Sequence, residues 1–326
     1  MRRKKHIRSI LVNFPTNLGD VILTFPAVDA LRASYFQSRI TAISSPQSKT
    51  LLLANRRITE VAVFKKQWRL KQKKKFACEL RGRYDLVVDF KNSLLPFVTG
   101  GRHHTPFIRK FPSDMHQKDR YLSLIRRFCD GGDADQNSIE LSPVQQQQWE
   151  NFSLPRAIFV SCASRSPFKR YPYRECAQAV KKIAERYPVA VVGEERDRDY
   201  YGDILSRPNV YDLVGKTSLP EVFFLMKRYC DLLVSVDSAI LHIASYLNLP
   251  VVALFGPTDP RRYGPFSRRH RVLRRDMACA ACRRLTCEKQ NDSCMHIDPQ
   301  SVVDAAEEIR KGHDAQATEE NTFDPN

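Results

Sequence analysis

Short apolar runs alternate with amphipathic stretches along the first half of the chain. Runs rich in β-branched residues predict strands at residues 10–14, 40–44, 61–64 and 86–90. Apolar positions that recur with the helical period predict helices at residues 19–34 and 67–80. Strands that alternate with helices favour a mainly parallel sheet with helices on both of its faces.

The alternation stops at residues 131–154 and then begins again. This interval holds Gly131-Gly132, a glutamine run at 145–148 and a Leu154-Pro155 step, which are typical of a connecting segment. Further strands are predicted at residues 157–162, 189–193, 232–236 and 251–256. Further helices are predicted at residues 174–187, 219–229, 240–247 and 300–311.

We therefore expect an α/β fold of two Rossmann-like, doubly wound domains, at residues 1–150 and 151–312. A length of 326 residues also favours two domains. The tail at 313–326 is polar and acidic, so we predict that it is disordered. Ligands of such sheets bind beyond the carboxyl ends of the strands, where we expect the chemistry.

Nothing in the sequence predicts export or membrane insertion. The chain has no run of 18 apolar residues, so no transmembrane helix is predicted. The basic start at residues 1–5 resembles that of a signal peptide, but the apolar run at 9–14 is too short and Pro15 ends it. The expected location is the cytoplasm.

The chain is strongly basic, with 53 Lys and Arg against 36 Asp and Glu and a formal net charge of +17. This excess favours an anionic partner, which is a phosphorylated substrate, an acidic membrane surface or nucleic acid. A basic surface that only keeps the protein soluble is the alternative. Basic residues concentrate at 65–83 and 268–275. Neither stretch has the interleaved aromatic residues of a single-strand nucleic-acid platform, so no nucleic acid is expected.

The segment Asn17-Leu18-Gly19-Asp20 follows the first predicted strand and opens the first predicted helix. Gly19 permits a tight turn and the close approach of another group. At the carboxyl end of a strand, the Asp20 carboxylate can accept a proton from a substrate hydroxyl. A helix N-terminus also stabilises an ionised carboxylate, so an ordinary N-terminal helix acid is the alternative.

Three loops of the second half carry further candidates. Asp237 and Ser238 join a strand to a helix that contains His242, and amide groups at such a junction suit a phosphate. Lys169 and Arg170 follow the strand at 157–162 and can reach phosphates as a point charge and a forked charge.

The third loop follows the strand at 251–256 and contains Thr258 and Asp259 between two prolines. The bland alternatives to these three loops are a capped helix with a core histidine, a solvated basic loop and a plain turn.

Four segments of the chain follow one another in the order seen in the ADP-heptose:lipopolysaccharide heptosyltransferase family, glycosyltransferase family 9, and the chain resembles that family. The resembling segments are residues 17–21 with Phe25-Pro26-Ala27, Lys169-Arg170-Tyr171-Pro172, Asp237-Ser238 with His242, and residues 255–260. The resemblance covers residues 7–312, and the Asn-Leu-Gly-Asp form is closer to the heptosyltransferase II branch. It implies an inverting enzyme of the GT-B type, with two Rossmann-like domains facing each other across a cleft.

The resemblance also implies a role for each matching residue. Asp20 corresponds to the general base on the acceptor hydroxyl, and Lys169 to a lysine on the donor diphosphate. Glu194, or alternatively Glu195, corresponds to a glutamate near the donor nucleoside. The residues implied in donor binding are Gly19, Lys169, Glu194, Asp237, Ser238, Ala239, His242, Thr258 and Asp259.

Two positions of the donor turn depart from the family pattern. Ala239 stands where the family usually has glycine, and Ile240 stands where it often has proline. Alanine keeps its N–H but leaves less room for a phosphate. The donor is therefore expected either to bind in a different position from that in the family or to carry a different sugar.

The implied reaction is heptose transfer from ADP-heptose to the lipopolysaccharide inner core. The expected partners are the nucleotide sugar, an anionic lipid-linked saccharide, and the cytoplasmic face of the inner membrane, on which the protein is peripheral. No cofactor and no catalytic metal is expected. The alternatives are a glycosyltransferase with another donor or acceptor and a non-catalytic nucleotide- or nucleic-acid-binding protein, which would have no use for Asp20.

Four cysteines near the C-terminus have the spacing C-x2-C-x4-C-x6-C. In a cytoplasmic protein this spacing indicates a structural Zn²⁺ site more than disulfides. Similar cysteines occur in many members of the resembled family, and reduced, partly buried thiols are the alternative. These residues are Cys279, Cys282, Cys287 and Cys294.

Overall fold

The computed structural model divides the chain into two compact units, Met1–Glu140 and Leu141–Asn326. The structure describes residues 6–129, 138–279, 281, 282, 287 and 293–320, the last nine of these by their backbone alone. Among these residues, no helix combines the length and the apolar character needed to cross a bilayer.

The first unit contains one parallel sheet with the strand order β3-β2-β1-β4-β5. Its strands are β1 Ser9–Asn13, β2 Arg39–Ser44, β3 Glu60–Val63, β4 Leu86–Asp89 and β5 His103–His104. Its helices are α1 Leu18–Leu23, α2 Phe25–Ser34, α3 Lys49–Leu53, α4 Leu70–Leu80, α5 Leu95–Thr99 and α6 Gln117–Ile125, with a short 3-10 helix at Pro46–Ser48.

The single helix predicted at residues 19–34 is two helices, and this part of the prediction is wrong. Thr24 separates α1 from α2, and its hydroxyl donates to the carbonyl oxygen of Val21 at 2.6 Å. Pro26 is the cause, because proline has no N–H to donate and its ring clashes with the carbonyl four residues earlier. Pro26 is instead accommodated in the first turn of α2.

The second unit contains a larger parallel sheet with the strand order β11-β10-β9-β6-β7-β8. Its strands are β6 Ala157–Ser161, β7 Val189–Val191, β8 Val210–Asp212, β9 Cys230–Val236, β10 Val251–Leu254 and β11 His270–Leu273. Its helices are α7 Pro143–Glu150, α8 Tyr173–Ala184, α9 Arg198–Tyr201, α10 Leu219–Tyr229, α11 Ala239–Tyr246, α12 Pro260–Tyr263 and α13 Pro299–Glu320. Short 3-10 helices lie at Pro167–Lys169, Glu195–Asp197, Gly202–Ser206 and Ser293–Met295.

The stretch predicted to connect the domains contains α7. Ser142 caps this helix by accepting a hydrogen bond from the Gln145 amide, and Pro143 follows in the first turn. The buried Trp149 donates to Glu221 Oε1 of α10 at 3.0 Å, which holds α7 on the second unit. Residues 130–137 of the predicted connection lie outside the described residues.

The last helix is longer than the predicted 300–311, because α13 runs from Pro299 to Glu320. The predicted disordered tail at 313–326 therefore begins within a helix. Residues 321–326 of that tail lie outside the described residues.

Each sheet reverses its winding direction at one pair of strands. In the first unit, the chain winds from β1 toward β3 on one side and from β4 toward β5 on the other. In the second unit, it winds from β6 toward β8 on one side and from β9 toward β11 on the other. Loops that leave such a pair part in opposite directions and open a crevice at the carboxyl ends of the strands. The α/β class and the two doubly wound parallel sheets are thus confirmed, and the reversals specify where the candidate residues must lie.

Gly215 is expected to tolerate no side chain. Its φ of +73° is left-handed, and a Cβ would lie 1.8 Å from Glu195 Oε2 and 2.9 Å from Glu195 Cα. Gly215→Ala should destabilise the second unit by about 1–2 kcal/mol of backbone strain plus about 1–3 kcal/mol of overpacking, measured by urea unfolding. Gly82→Ala, at φ +69° in open space, provides the control for strain alone in the first unit. Equal losses for the two variants would contradict the overpacking.

Candidate functional site

In the first unit, Asp20 lies in the first turn of α1, directly beyond the carboxyl end of β1. The side chain is half-buried. Tyr121 of α6 donates its hydroxyl to Asp20 Oδ1 at 3.5 Å, and Asn17 donates to Asp20 Oδ2 at 3.4 Å. Gly19 precedes Asp20 in the same turn. These contacts fix the carboxylate beside the β1–β4 reversal, the position expected for a base.

A second carboxylate at this reversal was not predicted. The buried Asp89 ends β4, and Asn13 at the end of β1 donates to Asp89 Oδ1 at 2.8 Å. Asp89 also accepts from the amides of Lys91 and Ser93, so it shapes the loop after β4. Its position at the end of an apolar run was the available signal, but the run itself predicted only a strand.

Arg109 closes the same loop by donating to the Asp89 carbonyl oxygen and, from its Nε, to the Pro106 carbonyl oxygen at 3.0 Å. Burial lowers the pKa of the Arg109 guanidinium, while attraction to Asp89 and Tyr121 opposes this shift. Because the ordinary guanidinium pKa is far above neutral, the side chain stays cationic at neutral pH. The β1–β4 reversal therefore carries a positive charge beside Asp89 and Tyr121 that the sequence pattern did not predict.

In the second unit, Lys169 and Asp237 meet at the β6–β9 reversal. Lys169 Nζ lies 2.6 Å from Asp237 Oδ2, and the two side chains are 32% and 9% exposed. Lys169 follows β6 and Asp237 follows β9, so two segments far apart in the sequence converge at one sheet edge. A charge-assisted hydrogen bond of this length holds the lysine in a defined orientation.

His242 is the third member of this group. It lies on α11, is almost completely buried, and places Nε2 at 3.9 Å from Asp237 Oδ1. Ser238 caps α11 by accepting from the Leu241 amide at 3.4 Å, and Ser235 supports it with an Oγ–Oγ distance of 3.2 Å. Ala239 begins the helix. A lysine ammonium therefore stands beside the capped N-terminus of an eight-residue helix, which together suit an anionic oxygen.

The remaining predicted residues make local contacts at the same sheet edge. Asp259 is buried and caps α12, and its Oδ2 lies 3.0 Å from Arg261 Nη2. These contacts give its carboxylate a structural role. Thr258 beside it is partly exposed. Glu194 follows β7 and pairs with Arg165 at 2.9 Å and Arg196 at 2.6 Å. The alternative Glu195 pairs with Arg198 at 3.4 Å.

Comparison with known proteins identifies the family of the chain. The model of glycosyltransferase family 9 (heptosyltransferase) matches residues 74–292, more than half of the chain. The chain belongs to glycosyltransferase family 9.

Similar members of glycosyltransferase family 9 cover nearly the whole chain. Lipopolysaccharide heptosyltransferase 2 of Escherichia coli K12 is 27% identical over 90% of this chain and 96% of its own length. The solved E. coli ADP-heptose lps heptosyltransferase II superposes with a TM-score of 0.73, at 24% identity and over 94% and 99% of the two chains. The solved family 9 glycosyl transferase of Veillonella parvula DSM 2008 superposes with a TM-score of 0.77, at 23% identity and over 94% of this chain and 97% of its own. The likeness to the heptosyltransferase II branch and the GT-B fold type are confirmed.

The Zn²⁺ site that the cysteine spacing indicates stays a prediction, because several residues between these cysteines lie outside the described ones. The residues described around Cys279, Cys282, Cys287 and Cys294 include no group of three or more His, Cys, Asp or Glu side chains that could hold a metal ion. Cys294 instead packs on Gly256, where a Cβ would lie 2.8 Å from its Sγ. Residues 280, 283–286 and 288–292 lie outside the described residues.

We expect Lys169→Ala to weaken the binding of inorganic pyrophosphate about tenfold or more, because a charged hydrogen bond contributes about 1.5–3 kcal/mol. Isothermal titration calorimetry at physiological salt measures the dissociation constant. Lys182→Ala, which removes an exposed lysine of α8, should leave it unchanged. Asp237→Ala added to Lys169→Ala separates lost attraction from uncovered negative charge. Equal weakening by the Lys169 and Lys182 substitutions would show that pyrophosphate binds elsewhere.

Proposed function

We propose that this chain transfers heptose from ADP-heptose to the lipopolysaccharide inner core with inversion at the anomeric carbon. The observation that carries the proposal is the Lys169–Asp237 pair beside the α11 N-terminus, in a member of the heptosyltransferase family. The names of the E. coli relatives support this donor and this acceptor class.

In this proposal the second unit binds the donor. Lys169 and the amides at the start of α11 meet the diphosphate, while Asp237 orients the lysine and the buried His242 supports Asp237. Glu194 lies toward the nucleoside, and Thr258 and Asp259 line the loop after β10. Negative charge grows on the diphosphate as the glycosidic bond breaks, and a pre-positioned ammonium with helix amides stabilises that charge without a divalent metal.

The first unit supplies the base. The acceptor hydroxyl oxygen forms a bond to the anomeric carbon, its proton passes to the Asp20 carboxylate, and ADP leaves with the electron pair of the broken bond. Attack from the face opposite ADP inverts the configuration. Hydrogen bonds from Tyr121 and Asn17 limit the orientations of Asp20. In this proposal the acceptor hydroxyl binds within hydrogen-bond reach of that carboxylate, as a general base requires.

The acceptor in this proposal is lipid-linked and anionic, so the enzyme works at the cytoplasmic face of the inner membrane as a peripheral protein. Its basic charge suits such a surface, because anionic lipids attract Lys and Arg residues near the bilayer. The basic stretch at residues 65–83, which includes all of α4, is available for the acceptor phosphates.

A nucleotide panel tests the donor class. A ligand bound only by the folded state raises the melting temperature, so ADP should stabilise the protein while UDP, GDP and CDP should not. Stabilisation by another nucleotide alone would replace the donor within the same fold. No stabilisation by any of the four would favour a protein that does not use a nucleotide sugar.

Asp20→Asn should lower kcat for heptose transfer by about 10²–10⁴-fold, the usual contribution of a general base. The affinity for ADP should change less than twofold, because this substitution keeps the shape of the side chain. Radiometric transfer assays and calorimetry provide the two measurements. Asp119→Asn, at an exposed carboxylate on α6, serves as the matched control with full activity. Loss of ADP binding in a folded Asp20→Asn protein would contradict the assignment of Asp20 as the base.

A further inference from the structure

Five large apolar side chains are exposed within fifteen residues of the first unit. They lie on α5, directly before it, and in the segment after β5, and we call them the α5 patch. Leu94, Phe97, Val98, Phe107 and Ile108 are 63%, 59%, 46%, 43% and 81% exposed. Five such residues so close in the sequence differ from the singly scattered apolar residues of ordinary surfaces.

The fold holds these side chains outward. Leu95, next to Leu94, packs against a core cluster that includes Leu80 and Val87, and Pro96 and Thr99 are buried. The left-handed Gly100 ends the helix, with its amide donating to the Pro96 carbonyl oxygen. Since α5 has one anchored face, its other face is fixed toward solvent.

The two parts of the α5 patch form one surface. The rings of Phe97 and Phe107 meet edge to face with 5.6 Å between centroids, and the Phe97 ring lies 5.8 Å from that of His104. Arg109 ties the second part to the sheet through the carbonyl oxygens of Pro106 and Asp89. The apolar side chains are therefore presented together.

Positive charge surrounds the α5 patch. Residues 90–113 contain four cations and no Asp or Glu. Of these cations, Lys91, Arg102 and Lys110 are exposed. Lys66 of the basic stretch at 65–83 adds to this positive charge. Burial lowers the pKa of Lys91 and repulsion from Lys66 lowers it further, while attraction to Asp89 opposes both effects.

A surface that combines exposed apolar side chains with the cations of a segment free of Asp and Glu, residues 90–113, complements one kind of partner. Anionic lipid headgroups neutralise the cations, and the acyl region beneath them accepts the apolar side chains. An anionic nucleic acid would meet the same cations but would leave Leu94 and Ile108 in water.

We propose that the α5 patch docks the first unit on an anionic bilayer surface. The inference rests on the proposed function, in which the acceptor is held in a membrane. The position of α5 supports it, because α5 follows β4 and therefore lies at the same sheet edge as Asp20. A bilayer bound at this edge brings a lipid-linked hydroxyl to the side of the sheet that carries the base.

Vesicle sedimentation with the full-length protein tests the docking. We expect binding to vesicles of phosphatidylglycerol and phosphatidylethanolamine, weak binding to phosphatidylcholine vesicles, and weakening by salt. Phe97→Ser with Ile108→Ser should lower the partition coefficient about tenfold or more. Phe36→Ser with Leu53→Ser, at side chains 74% and 60% exposed elsewhere in the same unit, is the matched control and should bind like the parent protein. Melting curves check that both variants fold.

Arg102→Glu with Lys110→Glu tests the charge. It should weaken binding to phosphatidylglycerol vesicles and reduce the salt dependence. Equal binding by the patch variant and its control, or equal binding to both kinds of vesicle by the parent protein, would overturn the proposal.

Activity separates this inference from the proposed function. The patch variant should transfer sugar to a deacylated, water-soluble acceptor at the parent rate and lose rate only with the vesicle-bound acceptor. If it binds vesicles normally but loses activity on both acceptors, the α5 patch is a substrate-binding surface and the docking proposal is wrong. If the parent protein has no activity on either acceptor, the proposed function fails while the vesicle result still decides the docking.

Discussion

Every strand pair assigned to the two sheets is parallel, and this constraint decides where polar chemistry can be placed. Parallel strands must all end at one edge, so loops from distant parts of the sequence converge there. Lys169 and Asp237 are separated by 68 positions but lie 2.6 Å apart for this reason. Asn13 and Asp89 meet in the same way at the end of β1 and β4. Each reversal of winding thus gathers polar and charged groups that the chain alone keeps apart.

The Lys169–Asp237 pair is not efficient as a device for stability. Both charges lose hydration when they are partly buried, and a buried ion pair often contributes little to folding for that reason. Its position beside the α11 N-terminus makes it more suitable for binding, because the same ammonium can exchange one carboxylate contact for contacts with diphosphate oxygens. Asp237 holds the lysine in place before a ligand arrives, which reduces the side-chain entropy lost on binding.

The sequence predicted residues that depend on a local pattern better than residues that depend on long-range contacts. Strand-end loops identified Asp20, Lys169 and Asp237, because apolar runs mark where a strand stops. Asp89 and Tyr121 escaped notice, since their relevance arises only when β4 and α6 pack beside β1. Short edge strands such as β8 and β11 were also missed, because their residues are half-exposed and lack a continuous apolar run. The α1–α2 break could have been read from Pro26, which the helical period concealed.

The two departures from the family pattern in the proposed donor turn have opposite physical consequences. Ala239 begins α11 and brings a methyl group to the helix N-terminus, which reduces the space available to a phosphate. Ile240 is mostly buried, so its side chain is taken up by packing, and unlike proline it contributes a backbone N–H in the first turn. This additional amide donor compensates for part of the attraction that is lost when a phosphate cannot approach the backbone as closely. The turn thus remains suited to an anion, but through a geometry in which amide number, rather than close backbone approach, supplies the attraction.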